Sequence, residues 1–245
     1  MPFPQDEIGI LVGQQDYRES DRIVQVLTPT LGLVTAMARS ARASRRRFGG
    51  ALDFGNKLNI TIKQGRGDLW HLEEVSVIEG RIGARSDVTK VSMMAYACEV
   101  SAALAQRHQP EARLFGLLDV VCLLMEHSPT IPSPLFRNAF EAKALTFVGM
   151  TPGLIRCVAC EGPLQSPTVF VPASGGGMHQ ECDREEVGIP INQNWLQSME
   201  RARRTPLKDL INAAHPPGPQ WLLSETIEAH IEQELRSKRV LRAFC

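Results

Sequence analysis

Residues 58–63 read "LNITIK", and their alternation decides the first question about this chain. Leu58, Ile60 and Ile62 fall on one face of an extended strand, with Asn59, Thr61 and Lys63 on the other. Similar runs rich in Val, Ile, Leu and Thr lie on either side: "IGILVGQQ" (8–15), "DRIVQVLT" (21–28), "LVTAMAR" (33–39) and "LWHLEEVSVI" (69–78). Turn residues separate them at Asp16, across Pro29–Gly32, at Gly49–Gly50 and from Gly65 to Asp68. Five short strands with one long connection predict a small closed barrel of the OB type, an SH3-like barrel being the alternative that pattern leaves open.

Beyond Gly83 the period changes from two to that of a helix. From Asp87, a good N-cap, the residues Val91, Met94, Ala95, Cys98, Ala102 and Ala105 recur at helical spacing until Pro110. A second stripe holds Leu114, Leu117, Leu118, Val121, Leu124 and Met125 and stops in "HSPTIPSP", whose prolines cannot continue it. A third runs from Leu135 through Phe136, Phe140 and Phe147 to Gly149. The last places Leu223, Ile227, Ile231 and Leu235 at i+4 intervals after "HPPGP". Such stripes build a bundle core. The expected fold class is therefore α+β. An OB-type barrel (1–82) is followed by a helical bundle (83–155 and 189–245) that carries a zinc-ribbon-like insertion (156–188).

Composition bounds the function. A 245-residue chain with 43% apolar and 22% charged residues is an ordinary globular protein, and its 27 basic residues balance its 27 acidic ones. Any electrostatic argument must therefore be local. The opening "MPFPQDEIGI" does not read as a signal peptide, and no apolar run approaches the roughly 18 residues of a membrane span. Six cysteines, three of them clustered, suggest metal in a reducing, cytoplasmic setting rather than a disulfide framework.

Two ligand pairs, Cys157-x-x-Cys160 and His179-x-x-Cys182, stand 18 residues apart. That is the zinc-ribbon pattern, in which each pair sits on a tight turn and a short hairpin joins them; the glycines at 175–177 permit the turn. Zinc is the default ion for sulfur-rich tetrahedral sites, one per chain. The "HQE" at 179–181 has the H-x-E of zinc deaminases, but the order of the two pairs is reversed. Four protein ligands would also leave no place for an activated water. The reading is a structural site and no enzyme.

A second feature is "ARSARASRRRFGG" (38–50), in which Arg39, Arg42, Arg45, Arg46 and Arg47 crowd together. Lys57, Lys63 and Arg66 extend it, so residues 39–67 hold eight cations against the single Asp53. A charge run is often only a solvated face. This one falls in a barrel loop with Tyr17, Phe48 and Trp70 nearby as candidate base-stacking rings, which is the composition of a single-strand-binding groove. Arginines without a base-reading element grip phosphates and are nearly blind to sequence. A zinc-stabilised RNA-binding or regulatory adaptor fits the same residues.

Residues 16–56 resemble the N-terminal block of the bacterial RecO recombination mediators. The shared features are the Y-x-E-x-D of Tyr17, Glu19 and Asp21, the L-T-P-x-x-G of Leu27 to Gly32, the A-R-x-A-R of Ala38 to Arg42, and the F-G-G-x-L of Phe48 to Leu52. His179 departs from the four cysteines usual in the family's knot, and Ser40 replaces a common glycine. The resemblance implies a non-enzymatic role in DNA repair, nucleoid-associated in the cytoplasm. It implies binding to single- and double-stranded DNA, annealing of complementary strands, and loading of RecA with the help of RecR. It further implies contact with the acidic C-terminal tail of single-strand-binding protein.

Overall fold

The computed structural model of the chain describes residues 3–44, 48–65 and 67–244. Its first element is a long strand, β1 (Gln5–Tyr17), followed by β2 (Asp21–Thr28), β3 (Gly32–Ala38), β4 (Lys57–Gln64) and β5 (Leu69–Glu79). They close into a barrel in the order β1-β2-β3-β5-β4. All neighbours are antiparallel except β3 and β5, which run parallel through Thr35↔Leu69, Ala36↔Trp70 and Met37↔His71. This is the OB-like barrel that the sequence predicts. Strand β1 closes it by serving two neighbours: its first half pairs with β4 and its second with β2, with a register shift between Leu11 and Gly13.

The alternation of "LNITIK" holds, and Leu58, Ile60 and Ile62 are buried to 1% exposure or less. They meet Val24, Val26, Val34, Ala36 and Leu72 in the barrel interior. Burying such side chains contributes roughly 1.5–3 kcal/mol each.

Helices α1 (Val88–Leu104) and α2 (Ala112–His127) follow. The Asp87 carboxylate caps α1 as expected, accepting from the Thr89 and Lys90 N–H groups at 2.8 and 3.0 Å. The stripe expected on α1 is broader than the spacing suggests. Met93, Tyr96, Ala97 and Val100 are buried beside Met94 and Cys98, while Val91, Ala95 and Ala102 are half-buried.

Two compact units result. One runs to His127 and takes in Val240–Phe244; the other is Ser128–Arg239. Helices α1 and α2 are grouped with the barrel in the first unit. Side-chain bonds tie them there: Asp119 of α2 pairs with Lys57 and Arg81, and Glu126 accepts from the N–H groups of Gly83 and Ala84.

In the second unit, Ser133 caps α3 (Pro134–Phe147), whose Phe136 and Phe140 are fully buried. A three-stranded sheet comprises β6 (Thr168–Val171), β7 (Gly176–His179) and β8 (Ile189–Ile191), with β6 in the middle. Helix α4 (Gln193–Arg204) sets Trp195 edge-on to Phe170, ring centroids 5.8 Å apart.

The last apolar stripe is not one helix. Helix α5 (Leu222–Ile231) ends where Glu232 turns left-handed (φ 52°), and α6 (Arg236–Leu241) begins afresh. Each i+4 step overshoots a full turn by about 40°, so the four-residue stripe drifts about 120° around the axis. Leu223 and Ile227 are fully buried, but Ile231 already faces partly outward. Among the described residues no helix is long and apolar enough to cross a membrane.

Candidate nucleic-acid interface and metal centre

The β1–β2 turn and the loop leaving β3 meet at one end of the barrel, because Tyr17 pairs with Asp21 and Arg22 pairs with Ala38. The loop's first turn is built on Ser40, left-handed at φ 57°, whose carbonyl accepts from the N–H groups of Ala43 and Ser44. Two bonds fasten it to the hairpin. The Ser40 N–H donates to Asp21 Oδ1 at 2.8 Å, and the Arg42 N–H donates to the Ser20 carbonyl at 3.0 Å.

Arg39 and Arg42 are exposed here, as is Arg18, whose guanidinium lies 5.2 Å from the Tyr17 ring centroid. Asp16 pairs with Arg22 at 3.0 Å and more loosely with Arg42 at 3.6 Å. Pairs this exposed hold little energy and leave the guanidinium groups available to phosphate. The register Met37↔His71↔Lys63 brings Lys63 to the outer surface two strands away. Arg18 and Arg22 were not singled out from sequence. The hairpin register is what places them, and the Tyr17-to-Asp21 spacing was the available signal.

Four expected residues, Arg45, Arg46, Arg47 and Arg66, lie outside the described residues. Lys57 does not belong to this surface. It sits at the far end of β4, six residues and roughly 20 Å along the strand from Lys63. There its ammonium is 2.7 Å from Asp119. Nor do two of the three rings offer a free face. Phe48 and Trp70 are 3% and 8% exposed and pack into the barrel core, Trp70 sharing the inward parity of Leu72. Tyr17 is half-buried.

In the second unit, Cys157, Cys160, His179 and Cys182 converge, their ligand atoms all within 4.8 Å of one another. The turn that carries the first pair is bound to β7, the Val158 N–H donating to the Gly177 carbonyl at 3.0 Å, and Gly175 makes the tight turn that leads into β7 at φ 80°. His179 Nδ1 lies 3.4 Å from Cys160 Sγ and 3.9 Å from Cys182 Sγ. Its Nε2 is 3.0 Å from the Pro163 carbonyl. A carbonyl only accepts, so Nε2 carries the proton and Nδ1 turns its lone pair toward the sulfurs.

The thiols are prepared unequally. Burial pushes Cys157 up, but N–H groups of Cys160, His179 and Ala159 outweigh it and bring the thiol to about 6. Cys182 is pushed up to about 11 by burial, by hydrogen bonds with the Cys157 and Cys160 thiols and by their charge. A cation between the sulfurs would let all three give up their protons. Three sulfurs and one oriented nitrogen could hold a metal ion with every tetrahedral position filled.

The family model described as Recombination protein O N terminal matches residues 4–81, and that described as Recombination protein O C terminal matches residues 85–239. The chain is 32% identical over 236 residues to DNA repair protein RecO of Myxococcus xanthus, covering 95% of this chain and 94% of that one. It is 39% identical over 240 residues to DNA repair protein RecO of Anaeromyxobacter dehalogenans strain 2CP-C, with coverage of 95% and 94%. The namesake from Symbiobacterium thermophilum is 34% identical over 198 residues, or 79% and 77%.

Proposed function

The chain belongs to the RecO family of DNA repair and recombination proteins, and from that premise we propose that it acts by holding strands rather than by catalysis. The observation that carries this reading is the arginine-bearing rim at one end of a closed barrel. Two DNA strands repel each other, and a cationic surface that binds both lowers the barrier to their pairing. Single- and double-stranded DNA are thus both ligands. Annealing, and with RecR the loading of RecA onto strands covered by single-strand-binding protein, are the proposed activities.

A cavity in the second unit suits the acidic C-terminal tail of that single-strand-binding protein. Its volume is about 450 Å³, and Leu135, Ala202, Leu210 and Pro216 supply apolar walls. Arg201 and His215 also line it. Burial lowers the His215 pKa, so at neutral pH the charge offered to a carboxylate is that of Arg201.

The Cys157, Cys160, His179 and Cys182 site would hold zinc and serve the fold of the knot. The protein should contain one zinc per chain by elemental analysis. Cys157→Ser should lose the metal and the amide protection of β6 and β7 while the barrel keeps its own. The functional reading is tested by annealing of complementary strands precoated with single-strand-binding protein. Acceleration that fades as salt rises is expected; no acceleration at any salt, or equal action on RNA alone, would overturn it.

A further inference from the structure

Asp21 is a carboxylate in the middle of a surface meant for phosphate, and simple electrostatics says it should hinder binding. Its geometry says otherwise. Asp21 Oδ1 receives the Ser40 N–H at 2.8 Å, a charge-assisted bond to the residue that turns left-handed and starts the loop. Arg39 precedes this anchor and Arg42 follows it by one short turn, closed by Ala43 and Ser44 on the Ser40 carbonyl. Farther along, Phe48, Ala51 and Leu52 pack into the barrel core. The loop's return is held by Asn56, whose Nδ2 donates to the carbonyls of Gly50 and Ala51. The back of the loop is therefore pinned by buried groups, whereas its arginine-bearing front depends on the β1–β2 turn.

We propose that Asp21 is a positioning residue for nucleic-acid binding: through the Ser40 N–H it fixes the backbone on which Arg39 and Arg42 meet phosphates. The inference rests on the phosphate-binding reading of these arginines. An arginine on a mobile loop must be ordered at the moment of binding, and that ordering cost is subtracted from affinity. Asp21 removes the cost beforehand, at the expense of one unfavourable charge on a solvated rim where screening is strong.

Two opposite outcomes follow for Asp21→Ala. Charge alone predicts tighter binding and a steeper salt dependence, since a carboxylate has gone. Positioning predicts weaker binding, about tenfold for a single strand at moderate salt, the scale of one lost charge-assisted bond. Asp21→Asn separates the causes, because its side-chain carbonyl still accepts from Ser40 while the charge is absent.

The experiment measures affinity of the full chain for an oligothymidine by fluorescence anisotropy over a salt series. The parent, Asp21→Ala, Asp21→Asn and the Arg39→Ala/Arg42→Ala double variant are compared, each checked for an unchanged melting transition. Loss in Asp21→Ala with restoration in Asp21→Asn supports the proposal. Unchanged or tighter binding by Asp21→Ala overturns it, as does equal loss in both Asp21 variants. The double variant should lose about 1.4 from the salt slope, at 0.7 per single-strand phosphate contact. Should it keep the parent slope, the phosphate-binding reading itself fails and the role of Asp21 with it. Should it lose slope while Asp21→Ala binds normally, only the positioning role falls. If Asp21→Ala does not fold, Asp21→Leu, with a side chain of similar size that cannot accept from the Ser40 N–H, takes its place beside Asp21→Asn.

Discussion

The barrel has two groups of cations that look alike in sequence and differ in everything else. At one end Arg18, Arg39 and Arg42 stand in solvent: Arg42 pairs loosely with Asp16, Arg18 lies beside the Tyr17 ring, and Arg39 has no carboxylate partner among the described residues. In the other group Arg81 is 1% exposed, its guanidinium bridging Asp119 at 3.2 Å and Glu79 at 3.0 Å, with Lys57 on the same Asp119. The first group can trade water for phosphate. The second has already traded water for carboxylate, and it fastens α2 to the strands. Burial, not residue type, decides which cations can serve a polyanion.

The contrast is easiest to break at Asp119. Replacing it with Ala leaves the Arg81 guanidinium buried against only part of its shell, and should cost about 3 kcal/mol in urea unfolding. A loss below about 1 kcal/mol would mean that water reaches this group and that the two clusters are not opposites. A smaller effect separates them by function. Arg18, Arg39 and Arg42 together changed to Ala should flatten the single-strand salt slope by about 2 with little change in stability. Lys57→Ala should do the reverse, costing about 1 kcal/mol and leaving the slope intact. A slope change in Lys57→Ala equal to one phosphate contact would return it to the DNA surface.

An effect no larger than that of Lys57→Ala extends the contrast to the second unit. Hydrogen bonds from Arg203, opposed by burial and joined by Arg204, hold the Glu200 carboxyl below its usual range. Its folded value is depressed, so its contribution is complete above the ordinary carboxylate range and is lost as pH falls through the folded value. Glu200→Gln should therefore cost about 1 kcal/mol near neutral pH, with the gap to the parent closing in acid. A gap that stayed constant down to the acid transition would assign the cost to packing instead.

What the sequence made legible follows from how locally each feature is encoded. The strands could be read because inward and outward residues alternate within each run. The Cys157, Cys160, His179 and Cys182 cluster could be read because each pair lies within one short turn and the chain needs only to double back for the two to meet. The cationic surface was only partly readable. Lys57 and Lys63 sit on one strand with the same outward parity, and nothing short of the barrel register and the position of Asp119 tells them apart. Arg18 was missed for the same reason, since only the Arg22↔Ala38 pairing brings its turn to the arginine loop. The aromatic residues were ambiguous because a ring that can stack on a base can also fill a core; the parity shared with Leu72 tips Trp70 inward. The last helix misled because i+4 spacing looks periodic yet drifts around the axis.

The parallel pairing of β3 with β5 has a consequence for the order in which the chain comes together. A parallel pair cannot be formed by a hairpin, and joining Thr35 to Leu69 requires everything between them to be gathered first. The β1–β2–β3 meander can form early, as its residues emerge during synthesis, but the barrel cannot close until β5 has emerged and docked. Until then the core that seats Phe48 and Leu52 is unfinished, and the arginine loop has only its front anchor. A growing chain therefore carries its strongest concentration of positive charge before it has the scaffold to aim it, and the arginine rim is completed only with the last barrel strand.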